Sequence, residues 1–191
     1  LVRHEQGATH AADGYARACN KPGVVLVTSG PGITNCVTGI ATAHMDSIPM
    51  IVISGQVSRQ YVGSDAFQEA DATGITRPIC KHNFLINDRE SIADTFRKAF
   101  IIATTGRPGP VIIDIPKDLT DPNVKIDFEY RKNIKIRSYK VKTNEDQDKI
   151  SEAAKIICKA KKPMIYTGGG VILSKASNEL IKLTKLLNYP I

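Results

Sequence analysis

Tryptophan is absent from this 191-residue chain, and aromatic residues of every kind make up only 6% of it. A binder of single-stranded nucleic acid stacks bases on a series of aromatic side chains, and no such series is present. Long apolar runs are missing too, so no segment reads as a membrane span. The start does not read as a secretory leader, because charges interrupt it at once and no apolar core segment follows. Cysteine is scarce: Cys19, Cys36, Cys80 and Cys158 are far apart, with no CxxC and no Cys/His ligand cluster. That spacing argues against a disulfide framework or a zinc site and fits a reducing cytosol. Walker A, Rossmann GxGxxG, HExxH, an ordered Ser-His-Asp set and a paired-carboxylate glycosidase pattern are all absent. The first residue is not Met. Leu1-Val2 reads as the tail of a strand, and LLNYPI stops where a new strand would start, so a fragment cut at both ends is expected.

What is present is the composition of a globular protein, 42% hydrophobic and 24% charged, long enough for one ordinary domain and part of another. Lysine and arginine number 26 against 19 acidic residues. The excess gathers in YRKNIKIRSYKVK (130–142) and KAKKP (159–163). These stretches read either as a nucleic-acid surface or as a solvated linker and a helix end. Without interleaved aromatics, the second reading is adopted.

Short apolar runs alternate with longer amphipathic ones. GVVLVTSG (23–30) is a buried strand ending in Gly. PGITNCVTGIATAHM (31–45) begins with Pro, suited to a first helical turn, and continues at helical spacing. PMIVISG (49–55) is a second strand. Residues 56–80 are irregular, punctuated by Gly63, Gly74 and Pro78. HNFLI (82–86) is a strand, Asp88 caps a helix containing Glu90, Ile92, Phe96, Ala99 and Phe100, and VIIDIP (111–116) is a strand stopped by Pro116. Continuous β-branched strands alternating with helices predict an α/β fold with a parallel sheet covered on both faces. Residues 118–145 read as a linker. A second unit follows: a helix over 146–161, the strand PMIYTG (163–168), a triple-glycine turn, and a helix over 174–188.

Several constellations carry potential chemistry. Thr28-Ser29-Gly30-Pro31-Gly32, with Thr34 and Asn35, lies between a strand and a helix start, where open α/β sheets bind ligands; it is equally a tight turn. Glu5 follows a strand end and precedes a helix of small residues. It is either a surface residue favoured by the helix dipole or a carboxyl near a ligand, able to share a proton with a heterocycle nitrogen. SDAFQE (64–69) sits in a long irregular stretch of the kind that borders pockets, or is a loop anchored by its Phe. Arg107 in GRPGP suits a phosphate or carboxylate, and YTGGGV (166–171) allows close backbone approach; both also serve as plain turns.

Taken together, four stretches resemble the large, catalytic subunits of the acetolactate synthase (acetohydroxyacid synthase) family of thiamine-diphosphate enzymes. They are RHEQGATHAADGYARACNKPGVVLVTSGPGITNCVTGIATAHMDSIPMIVISGQV (3–57), GSDAFQEADATGITRPICKHNFLI (63–86), GRPGPVIIDIPKD (106–118) and PMIYTGGGV (163–171). The first marks the wider superfamily, and its combination with DAFQE, TRPICKHN and RPGPVIIDIPKD resembles this family above its cousins.

The resemblance implies an architecture and a site. Residues 1–118 would be a pyrimidine-binding domain short of its first elements, 119–145 a linker, and 146–191 the start of a flavin-binding central α/β domain. Glu5 would hydrogen-bond the cofactor's aminopyrimidine and lend the proton that activates it. Ser29, Gly30 and Asn35 would lie near that ring. Phe67 and Gln68 would border cofactor and substrate, and Lys117 would stand at the substrate channel mouth. Arg107, Gly168, Gly169 and Gly170 would contact FAD, held for structure. Mg²⁺ would be bound outside these residues, since the family's Gly-Asp-Gly motif is absent, and the fragment alone would be inactive. The implied reaction decarboxylates pyruvate and joins the remainder to pyruvate or 2-oxobutanoate, towards valine, leucine and isoleucine. The implied partners are further copies of the chain in a homodimer or larger homo-oligomer and a regulatory small subunit, with no nucleic acid and no membrane. The implied compartment is the bacterial cytosol, or a plastid or mitochondrion in a eukaryote. The alternatives are a sister enzyme such as pyruvate oxidase or sulfoacetaldehyde acetyltransferase, or a non-catalytic dimerising fragment. Glyoxylate carboligase lacks the glutamate, so Glu5 argues against it.

Overall fold

The computed structural model describes residues 1–126, 131, 133–141 and 144–191. The chain divides into two units, Leu1–Lys142 and Thr143–Ile191. In the first, Glu5–Cys19 forms α1, opened by His4, whose Nδ1 accepts from the Gln6 amide at 3.1 Å. Its buried residues Thr9, Ala12, Asp13 and Ala16 recur at helical spacing, and Asn20 ends it in the left-handed conformation (φ 53°).

Four strands follow: β1 Gly23–Val27, β2 Met50–Gln56, β3 His82–Leu85 and β4 Pro110–Pro116. They form a wholly parallel sheet in the order β1-β2-β4-β3. Alternate residues face opposite layers. Val25, Val27, Met50, Val52 and Ile112 pack with Ile33, Cys36, Ile40 and Ala43 on the α1 side. Ile51, Val111 and Ile113 pack with Ala99, Ile102 and Ala103 on the other. The expectation of a sheet covered on both faces fails at β1, where Val24 and Leu26 are 53% and 76% exposed. No helix reaches over that end of the sheet among the described residues, because Ile92–Thr104 packs on the inner strands.

The single helix expected over 31–45 is two helices, α2 Pro31–Asn35 and α3 Val37–Met45. At Cys36 the backbone tightens: its N–H reaches Ile33 O at 3.0 Å, a 3₁₀-type bond. After the short helix α4 (Ala72–Thr76), the next expected helix also starts later than its cap suggested. Asp88 accepts from Ser91 N at 2.7 Å and closes a turn containing Glu90, and α5 runs from Ile92 to Thr104. Leu1 and Val2, read as a strand tail, are exposed and unpaired in any ladder. Beyond β4, Lys117–Thr120 is a 3₁₀ turn. Ile136 and Tyr139 pack against the α5-side core, and Tyr139 Oη accepts from Lys81 Nζ at 2.8 Å.

The second unit contains α6 (Gln147–Lys159), α7 (Gly169–Leu173) and α8 (Ser177–Leu187). Asp146 caps α6 by accepting from Lys149 N at 3.1 Å. The strand expected over 163–168 is not formed: no neighbouring strand is described in this unit, and a strand exists only through its ladder. Ile165 N donates to Pro190 O at 2.9 Å, and Gly168 O accepts from Val171 N at 3.2 Å. The triple glycine is no free turn either. Gly168 caps α7, and Gly169 and Gly170 are its first residues. Tyr189 Oη donates to Ile157 O at 2.9 Å, joining the end of α8 to α6.

All four cysteines are free thiols, with Cys36 and Cys80 buried and Cys19 and Cys158 exposed. Among the described residues no helix is long and apolar enough to cross a membrane.

Candidate functional site

In an open parallel sheet, ligands gather at the carboxyl ends of the strands. α1 runs back along the sheet, so its first residue, Glu5, stands at that end. The helix is seated there by close contact: a Cβ on Gly39 would lie 2.0 Å from Thr9 Oγ1, so only glycine lets α3 approach so near. Thr9 Oγ1 donates in turn to Gln6 O at 2.9 Å.

Asn35, the last residue of α2, points its amide at the same place. Its Nδ2 donates to Glu5 Oε2 at 2.9 Å. That bond is the main reason the Glu5 carboxyl titrates below its ordinary value. The buried Cys36 Sγ donates to Gly32 O at 3.3 Å, and burial pushes its thiol up to about 12, so it is inert here.

The turn between β1 and α2 meets the loop after β2. Gly30 caps α2 with φ 57°, a left-handed value, and a Cβ there would stand 2.7 Å from Gln68 O. Gln68 is itself left-handed (φ 59°), as is Asp65 (φ 56°). Non-glycine residues hold such angles only where surrounding structure imposes them, and they cluster at functional sites. Phe67, beside it, is 88% exposed. Lys117 is exposed just beyond β4, next to Asp118, which receives Arg59 Nε at 2.7 Å and Arg59 N at 2.9 Å.

The expected site residues therefore fall in three places. Glu5, Ser29, Gly30, Asn35, Phe67, Gln68 and Lys117 lie on elements at the carboxyl end of the sheet, with direct contact between Glu5 and Asn35 and between Gly30 and Gln68. Arg107 precedes β4 and so lies at the amino end, its Nε donating to Ser47 Oγ at 2.8 Å and an Nη to Met45 O at 3.3 Å. Gly168, Gly169 and Gly170 belong to the second unit, where nothing stands within 4 Å of a Cβ added to any of them.

Sequence reading missed Gln56 and Asp114, buried polar residues behind the loop. A carboxylate inside the apolar run VIIDIP was a legible signal for Asp114; Gln56 gave none. Among the described residues no group of three or more His, Cys, Asp or Glu side chains can hold a metal ion.

The arrangement holds an oriented, ionised carboxylate on Asn35, beside a helix-start turn that itself meets a loop with left-handed residues, and is suited to exchanging a proton with a polar ring. Residues 1–75 match the family described as thiamine pyrophosphate enzyme, N-terminal TPP binding domain. Residues 150–191 match the thiamine pyrophosphate enzyme central domain. Both matched families are domains of thiamine pyrophosphate enzymes.

The chain is similar along its whole length to acetolactate synthase large subunits. It is 59% identical over 191 residues to that of Buchnera aphidicola subsp. Schizaphis graminum, covering 34% of that protein. It is 53% identical to that of Haemophilus influenzae, covering 33%. It is 49% identical to the isozyme 3 large subunit of Escherichia coli (strain K12), also covering 33%. The chain thus spans about a third of the length of the curated relatives it matches.

Proposed function

We propose that the polypeptide carrying this chain is the catalytic subunit of an acetolactate synthase. It decarboxylates pyruvate with thiamine diphosphate and joins the remaining two carbons to a second 2-oxo acid, pyruvate or 2-oxobutanoate. That is an early step towards valine, leucine and isoleucine. The reading rests above all on Glu5, whose carboxylate is held at 2.9 Å by Asn35 at the carboxyl end of the sheet.

When bound, the cofactor supplies the stabilised carbanion chemistry. Glu5 would share a proton with a ring nitrogen of the pyrimidine, its carboxylate ionised in the free chain and aimed by Asn35. Ser29 and Gly30 form the turn beside the ring, and Gln68 lies against it. Phe67 offers an apolar wall that keeps water from the reacting carbons, and Lys117 attracts the carboxylate of the incoming oxo acid.

The remaining assignments belong to the same reading. FAD is contacted by Arg107 and by Gly168, Gly169 and Gly170, on the strength of their motifs. Residues 1–118 act as the pyrimidine-binding domain, 119–145 as linker and 146–191 as part of the flavin-binding domain. The sequence lacks the family's Gly-Asp-Gly motif, so on this reading the Mg²⁺ ligands belong outside these 191 residues and no step here passes through the ion. The subunit works as a homodimer or larger assembly with a regulatory small subunit, in the cytosol or a biosynthetic organelle.

The test is an assay of the gene product carrying this chain, with pyruvate, thiamine diphosphate, Mg²⁺ and FAD. Acetolactate forms, and Glu5→Gln lowers its rate by at least about a hundredfold. Pyruvate consumed without acetolactate would move the protein to a sister decarboxylase or oxidase. No turnover would overturn the proposal.

A further inference from the structure

The loop between β2 and α4 carries Phe67 and Gln68, and one buried side chain spans its base. Gln56, the last residue of β2, is 7% exposed. Its Oε1 accepts from Val57 N at 2.8 Å, and its Nε2 donates to Ala70 O at 2.8 Å. Val57 opens the loop and Ala70 closes it, so a single carboxamide ties both ends.

A carboxamide can do this in one orientation only, with oxygen towards Val57 and nitrogen towards Ala70. Asp114, on the neighbouring strand β4 and 2% exposed, selects it: its Oδ2 accepts from Gln56 Nε2 at 3.0 Å. A flipped amide would set two acceptors face to face at Asp114 and again at Ala70. Asp114 Oδ1 is buried with no hydrogen-bond partner. A buried carboxyl left half satisfied is costly in a core, so its place between two apolar-rich strands calls for a role that an apolar residue would not serve.

We infer that Gln56, oriented by Asp114, is a positioning residue that clamps the base of the loop over 57–70 and thereby sets the place of Phe67 and Gln68. The rest of the loop is held from within and from its start. Glu69 accepts from Gly63 N and, at 3.0 Å, from Ala66 N. Arg59 grips Asp118. Neither tie reaches the segment next to Phe67 and Gln68 from the sheet; the Ala70 carbonyl does. Because Gln68 O packs against Gly30, moving Ala70 also moves the contact between the loop and the turn of α2. The catalytic part of this inference rests on the function proposed above.

The experiment uses the gene product carrying this chain without ligands, read by hydrogen–deuterium exchange, and then the acetolactate assay. Gln56→Met removes both ties with an unbranched side chain of similar volume. Asp114→Leu keeps Gln56 but removes its orienter, and Asp114→Asn keeps an acceptor there. Gln56→Met and Asp114→Leu are each expected to raise exchange over 57–70 by about tenfold while β2 and β4 amides keep their protection. Asp114→Asn is expected to restore protection. kcat/KM for acetolactate should fall about tenfold in the first two variants and recover in the third. Unchanged exchange over 57–70 would overturn the clamp, as would a rise shared equally by β2 and β4. Looser loops with unchanged kcat/KM would overturn its part in positioning the site. If the wild-type protein forms no acetolactate, the proposed function fails while the exchange data still decide the clamp.

Discussion

Burial pushes the Asp114 carboxyl up to about 6 from an ordinary 3.8, with Gln56 and Ser54 pulling it down and Asp71 adding to the rise. The folded state therefore favours the neutral acid. Its contribution to stability is complete below pH 3.8 and is lost as the pH climbs through about 6. The full swing is on the order of 3 kcal/mol, taking about 1.4 kcal/mol for each pKa unit. Asp114→Asn cannot ionise, so its melting temperature relative to wild type should rise between roughly pH 4 and pH 7.5. A constant difference across that range would contradict it. At Glu5 the shift is opposite and comes from Asn35. Asn35→Ala should let the carboxyl titrate nearer its ordinary value, seen as an upward move of the Glu5 side-chain carbon titration in NMR. Glu5 and Asn35 could each be singled out in the sequence as polar residues at element ends. Their bond could not, because it joins positions 30 residues apart.

Among the elements, β1, β2 and β4 were legible because they are near-continuous β-branched runs that suit a buried parallel sheet. PMIYTG carries a similar signal and forms no strand, since pairing is supplied by other segments and not by the run itself. The break at Cys36 left no trace in periodicity, because apolar spacing continues through it. Asp88 was a true turn former displaced from the helix: a carboxylate that accepts an amide three residues on serves a turn as readily as a cap. The closeness of α1 and α3 was also hidden. Gly39→Ala would place a methyl against the side chain of Thr9, and should cost about 1–3 kcal/mol of stability, as overpacking does. Differential scanning calorimetry on the variant checks it, and an unchanged melting temperature would refute it. Gly30→Ala meets both a left-handed backbone and the Gln68 carbonyl. Its effect should concentrate in the loop, where limited proteolysis would cut faster than in wild type.

At the level of the molecule, the two units differ in how much apolar surface they cover. The first buries two contiguous clusters on either side of its sheet. In the second, α6, α7 and α8 have no buried residue, while Met164, Tyr166 and Leu186 are 78%, 99% and 82% exposed. The amphipathic patterning of α6 and α8 predicted the helices, but patterning marks a face for burial without supplying what covers it. The 191-residue chain should therefore bind an apolar dye such as ANS more strongly than residues 1–142 alone. Equal dye binding would count against it.

The thiols divide by burial. Burial pushes Cys80 up to about 11 and Cys36 to about 12, which leaves almost no thiolate near neutral pH. Cys19 and Cys158 are exposed, one in each unit. A maleimide spin label added to the unaltered protein should thus stop at two sites without any engineering. Electron–electron dipolar spectroscopy on that doubly labelled chain becomes a ready-made ruler between its halves.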